Sequence, residues 1–177
     1  EILNDKSHSK EKLLLAFEES NGYMAKPFVR DKDAIQIVPL IIKYKNLLYA
    51  NNITLKDTLD DIYRTIGHYH SINLSPVFEG AEGQHKIEEI INSFRNKTIH
   101  QVCGLDVKAI EDYQLGTIEN IESGEKDATY LPNTNLIRLI FDEGFIAIRP
   151  SGTEPKIKIY FSLNVNNIEN LIKEFKE

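Results

Sequence analysis

The sequence predicts an α+β protein: the C-terminal part of an α/β domain, followed by a small domain of a sheet with two helices. Three observations carry this. A short unbroken apolar run, KLLLAF (Lys12–Phe17), precedes a loop and two helical patterns, the order of an α/β unit. From Tyr69 the texture changes to short, strand-like runs. Two segments with apolar residues at i, i+3, i+4 and i+7, in 83–97 and 168–175, accompany those runs.

The elements follow in order. Residues 1–11 are polar and read as a linker. KLLLAF has the length of a strand buried on both faces, as in a parallel sheet. A loop, EESNGYMAKPFVRD, leads to a helix from about Ala34 with Asp33 as N-cap and Pro39 as an expected kink. NNITLKDTLDDIYRTIG reads as a second helix. Thr54 caps it, Asp57 takes the capping-box position, Leu55, Leu59, Ile62 and Ile66 form its stripe, and Gly67 suits C′. One strand cannot make a sheet, so its partners are expected upstream of Glu1. After Gly67, HYHSINL is strand-like, a helix covers 83–97, and strands are expected around 105–113, 136–141, 144–149 and 156–163. Ile168, Leu171, Ile172 and Phe175 mark a last helix. The domains are therefore 1–66 and 67–177, a sheet of about four strands with its helices on one face forming the second.

Composition narrows the function. In 177 residues, 41% are hydrophobic and 27% charged, and the net charge is −6. That balance offers no general polycation for nucleic acid or an anionic membrane. No apolar stretch is long enough to cross a bilayer, and the polar start shows no secretory signal. Cys103 is the only cysteine, which excludes an internal disulfide. A cytoplasmic protein is expected, and Glu1 in place of Met suggests a piece of a longer chain.

The densest chemistry lies in GFIAIRPSGTEPKIKIYF, residues 144–161. On the incoming strand Phe145, Ala147 and Arg149 share a face; on the outgoing strand Lys156, Lys158 and Tyr160 do. If the isoleucines turn inward, Arg149 and Lys158 project from the uncovered face. The turn adds the Ser151 and Thr153 hydroxyls, and Gly152 lets the backbone bend and approach a ligand. Together these complement a phosphate dianion. A solvated hairpin tip with incidental charge fits the same residues. A phosphate site requires Glu154 to point away or pair with a cation.

A second loop, FEESNGY, follows the first apolar run, at the strand edge where ligands bind in open α/β sheets. Glu18 and Ser20 suit the reading of sugar hydroxyls, since a carboxylate accepts from two vicinal hydroxyls. Arg30 and Lys32 end the same loop. The other reading is a helix-entry loop whose acids favour the macrodipole. His68, His70, His85, His100 and Cys103 show no convergence and read as ordinary side chains; the acidic 119–127 stretch reads as a solvated turn.

RPSGTEPKIKIY and FEESNGYMAKPFVRDKD together resemble the α-D-phosphohexomutase superfamily, and most the bacterial phosphoglucomutase/phosphomannomutase branch. EDYQLG (111–116) and LPNTNLIRLIFDEG (131–144) resemble the same branch, so the likeness runs from about Leu13 to Phe161. Such enzymes place four domains around one cleft. The resemblance implies the end of the third domain and all of the fourth. By it, Arg149, Ser151, Gly152, Thr153 and Lys158 bind substrate phosphate, Glu18 and Ser20 read the sugar, and Lys32, with Arg30 more weakly, assists with phosphate. The sugar loop departs from some branches, which place a histidine where this chain has Asn21 and Tyr23.

The family's phosphoserine loop and its metal loop are absent, and in Asp31-Lys32-Asp33 a lysine separates the acids. No catalytic residue and no metal ligand is therefore expected in this chain, and the fragment alone is expected to be inactive. The resemblance implies an isomerase, an intramolecular phosphotransferase. It interconverts hexose 1-phosphate and hexose 6-phosphate through a phosphoserine, with glucose 1,6-bisphosphate as intermediate and Mg2+ bound by upstream domains. Those domains and the hexose phosphate are the expected partners, with no nucleic acid and no membrane. Glucose phosphates are the expected substrates. Phosphomannomutase, phosphoglucosamine mutase and a non-catalytic sugar-phosphate-binding module are the alternatives. Gly67 is the expected hinge.

Overall fold

The computed structural model describes residues 14–18, 22–26, 31–152 and 154–176. The chain divides into two compact units, Glu1–Ile62 and Tyr63–Glu177.

In the first unit, β1 (Ala16–Phe17) pairs antiparallel with β2 (Tyr23–Met24). Helix α1 (Ala34–Ala50) starts where the Asp33 carboxylate accepts from the Ile35 N–H at 2.9 Å, and it runs on through Pro39. Helix α2 (Leu55–Ile66) opens with a reciprocal capping box. The Asp57 N–H donates to Thr54 Oγ1 at 3.0 Å, and the Thr54 N–H donates to Asp57 Oδ2 at 2.8 Å. The Thr54 hydroxyl, which also donates to Asp57 Oδ2 at 2.7 Å, and then the Thr54 N–H hold the Asp57 carboxyl below its ordinary value. The division between the units falls within α2.

Within this chain the described part of KLLLAF is not covered on both faces. Lys12 and Leu13 lie outside the described residues, only Ala16–Phe17 is strand, and Leu14 and Phe17 are 87% and 73% exposed. Burial on both faces needs neighbouring strands and covering helices. The only described neighbour of β1 is a two-residue strand. Apolar side chains of α1 and α2, among them Ile35, Ile42, Leu47 and Ile66, are likewise exposed.

The second unit contains β3 (His70–Leu74), α3 (Ala81–Arg95), β4 (Gln101–Val102), β5 (Leu105–Asp106), β6 (Ala109–Asp112) and β7 (Thr117–Asn120). It continues with β8 (Lys126–Ala128), β9 (Ile137–Phe141), β10 (Gly144–Pro150), β11 (Ile157–Leu163) and α4 (Ile168–Lys176). Among the described residues, seven strands form an antiparallel sheet in the order β3-β11-β10-β9-β6-β7-β8. The sequence suggested about four. The expected 105–113 strand is broken into β5 and β6 at Val107-Lys108, and the 119–127 stretch, read as a solvated turn, carries the end of β7 and most of β8. TIEN and KDA lack the apolar alternation that marks a half-buried strand; β8 is the last strand of the sheet and β7 lies next to it.

The core sits on one face. Ile137, Leu139, Phe141, Ile146, Ile148, Ile157, Phe161 and Leu163 pack against Ile87 and Ile91 of α3 and Ile168 and Leu171 of α4. The Phe175 ring of α4 meets the Phe161 ring edge-on at 5.2 Å.

The motif EDYQLG is structural. On the opposite face Glu111 stands across from Arg138, which donates to it at 2.7 Å. The Tyr113 hydroxyl donates to the same carboxylate at 2.8 Å, and the Arg138 guanidinium lies 4.4 Å over the Phe145 ring. Asp112 turns the other way and is buried. One of its oxygens accepts from Arg95 Nε at 2.6 Å; the other accepts from the Gln114 and Leu115 N–H groups and sets the turn into β7. Asp112→Ala leaves the covered Arg95 without its anion and is expected to destabilise this unit by about 3–5 kcal/mol in urea unfolding. A loss below about 1 kcal/mol would show that the pair is dispensable.

Candidate functional site

The alternation of β10 turns Ile146 and Ile148 into the core and Arg149 to the other face. The β10–β11 register then sets Arg149 directly across from Lys158. Directly opposed residues hold their Cβ atoms about 4.5–5.5 Å apart, and like charges there repel. Among the described residues neither cation has an ion pair or a side-chain hydrogen bond.

Beyond the pair, the chain leaves β10 at Pro150 and enters β11 at Ile157. The Ser151 N–H donates to the Lys156 carbonyl at 2.9 Å and closes the base of the loop. Ser151 is half-buried and Gly152 exposed, while Thr153 lies outside the described residues. The backbone bends at Gly152 without a left-handed φ, and a Cβ there would meet nothing within 4 Å, which leaves open space over the backbone. Glu154, the local objection to an anion site, is paired with Lys156. The hydrogen bond from the Lys156 ammonium, and then that ammonium's charge, hold the Glu154 carboxyl below its ordinary value; Lys158 adds a smaller effect.

The outgoing leg of the loop is tied to a neighbouring segment. The Phe78 N–H donates to the Pro155 carbonyl at 2.8 Å, the Ile157 N–H donates to the Pro76 carbonyl at 3.1 Å, and Val77 bridges Lys156. Gly83 of α3 lets that helix seat against this segment, since a Cβ at Gly83 would lie 2.0 Å from the Phe78 carbonyl oxygen.

In the first unit the structure brings Glu18 and Lys32 together, with Nζ to Oε2 at 3.2 Å. The loop that does this is closed by the Glu18 N–H donating to the Gly22 carbonyl at 2.9 Å and the Asp33 N–H donating to the Tyr23 carbonyl at 2.8 Å. The Ala25 and Lys26 N–H groups donate to Gln36 Oε1 on α1. Glu18 and Lys32 line a pocket of about 240 Å3 with Ala16, Phe17, Met24 and Asp31. Ser20 and Arg30 lie outside the described residues. Sequence reasoning missed Gly22: a Cβ there would stand 2.4 Å from Lys32 Cδ and 2.7 Å from Glu18 Cγ.

Among the described residues no group of three or more histidine, cysteine, aspartate or glutamate side chains is arranged to hold a metal ion. The Tyr63, His68 and His70 rings form a stack instead, with centroids 4.1 and 4.6 Å apart. The described residues include no helix long and apolar enough to cross a membrane.

No protein-family model matches the chain. Curated proteins do. It is 56% identical over 164 residues to a phosphoglucomutase of Staphylococcus saprophyticus, covering 93% of this chain and 30% of that protein. It is 49% identical over 164 residues to a phosphoglucomutase of Staphylococcus haemolyticus, with the same coverage. A Staphylococcus aureus phosphoglucomutase is 48% identical over 162 residues, covering 92% of this chain and 29% of its own length. The chain belongs with the phosphohexomutases. It spans about 30% of the length of the curated relatives it matches.

Within this phosphohexomutase portion, Gly22→Ala is expected to push the Lys32 and Glu18 side chains apart. A crystal structure of the variant should show their ion pair opened beyond 4 Å; a separation still near 3.2 Å would show that Gly22 is not needed there.

Proposed function

We propose that this chain is the C-terminal portion of a phosphohexomutase of the phosphoglucomutase type, an isomerase that interconverts glucose 1-phosphate and glucose 6-phosphate. The observation that carries the reading is Arg149, without a side-chain partner among the described residues, set directly across from Lys158 beside the Ser151-Gly152 loop. A phosphate monoester has its second pKa near ~6 and is close to a dianion at neutral pH. Two facing cations match that charge, and a guanidinium fork adds bidentate geometry. The homology to phosphoglucomutases supports the same ligand.

In this reading the second unit holds the phosphate that does not react. The binding energy is used for orientation: a gripped phosphate restricts the sugar and presents its distal hydroxyl in a near-attack position. The first unit reads ring hydroxyls through Glu18, with Ser20 in the same loop, and Lys32 adds a positive charge beside that carboxylate. The reacting phosphoserine belongs to upstream domains of the same polypeptide, and glucose 1,6-bisphosphate is the intermediate. Mg2+, which neutralises the transferring group when bound, is likewise held by those domains; no described cluster in this chain fits it.

The test is a titration of the chain and of Arg149→Ala with glucose 1-phosphate, glucosamine 1-phosphate and inorganic phosphate, followed by calorimetry or amide shifts. Loss of a charge-assisted contact should weaken binding of all three by about tenfold or more. The parent should favour the glucose ester. Equal binding by Arg149→Ala would remove the phosphate site, and preference for the amino sugar would move the substrate assignment to phosphoglucosamine.

A further inference from the structure

We infer that Glu154 is a positioning residue of the phosphate loop, holding Lys156 aside so that Arg149 and Lys158 are the cations that meet the anion. The inference rests on the phosphate-anchor reading above.

Strand parity puts Lys156 on the same face as Lys158, two residues away, and across from Ser151. Left alone, its ammonium would stand beside Lys158 and repel it. Its side chain is only 21% exposed, so water cannot fully hydrate the charge, and a covered charge needs a partner. Glu154 supplies that partner from the loop itself. The backbone closes the same small turn, since the Lys156 N–H donates to the Glu154 carbonyl at 2.8 Å while the Lys156 carbonyl accepts from Ser151 at 2.9 Å. Pairing makes this end of the loop neutral and leaves two net positive charges, Arg149 and Lys158, matched to a dianion.

This reverses the sign expected from simple electrostatics. Removing a carboxylate beside an anion site should tighten anion binding. If Glu154 instead positions Lys156, removing it frees a cation that disturbs Lys158 and the Ser151–Lys156 closure, and binding weakens. Removing both charges together restores neutrality.

The experiment titrates the 177-residue chain with inorganic phosphate at pH 7.5, read by the Ser151 and Gly152 amide shifts, alongside Tm. Glu154→Gln is expected to bind about three- to tenfold more weakly than the parent. The double variant Glu154→Gln/Lys156→Gln should return to within about twofold of the parent, with its Tm close to the parent's. Binding by Glu154→Gln that equals or exceeds the parent would overturn the inference, as would a double variant no better than the single. Arg149→Ala in the same series keeps the two claims apart. If it weakens binding while Glu154→Gln does not, only the role of Glu154 falls; if it has no effect, the phosphate anchor falls with it.

Discussion

The pairing of β10 with β11, from Gly144 opposite Leu163 to Pro150 opposite Ile157, is the constraint on which the second unit and its candidate site both depend. On one face it buries Ile146, Ile148, Ile157 and Phe161, each almost wholly removed from water. Burying a side chain of that size stabilises by roughly 1.5–3 kcal/mol. On the other face it sets Arg149 against Lys158, and opposing like charges across a strand pair costs only about 0.2–1 kcal/mol. Burial wins by a wide margin. A slip of one residue would separate the cations, but it would also turn every one of those apolar side chains to solvent. The fold can thus hold two cations in opposition without an anion present.

Around that pairing the structure fixes the loop from both sides. Inside, Asp112 and Arg95 tie β6 to α3, and the Pro76–Phe78 segment ties the outgoing leg of the loop to the chain that leads into the same helix. Outside, Arg138 joins Glu111, Tyr113 and Phe145 across β6, β9 and β10. The likeness of EDYQLG to a family motif thus has a mechanical basis. Its carboxylates hold the sheet that presents Arg149.

Much of this was legible because it depends on local rules. The parity of Ile146, Ile148 and Arg149, the capping residues Asp33, Thr54 and Asp57, and the helical stripe of α4 follow from backbone geometry acting over a few residues. The edge strand β8 and its neighbour β7 were not legible, because a polar strand near an edge is specified by the strands it pairs with rather than by its own side chains. The apolar run KLLLAF reports a demand for burial that this chain alone does not meet. At the site, Arg149 and Lys158 could be placed on one face, but not directly opposite, since register depends on where the turn closes. Gly22 was overlooked because its significance is the space it leaves beneath Lys32 and Glu18, which no spacing rule encodes.

The central claim is that the opposed cations form an anion site. Crystals of the chain soaked with selenate, located by its anomalous signal, test it most directly. The account predicts the anion within hydrogen-bond distance of both the Arg149 guanidinium and the Lys158 ammonium, over the open space at Gly152. Selenate ordered elsewhere on the second unit, with nothing bound between Arg149 and Lys158, would contradict it.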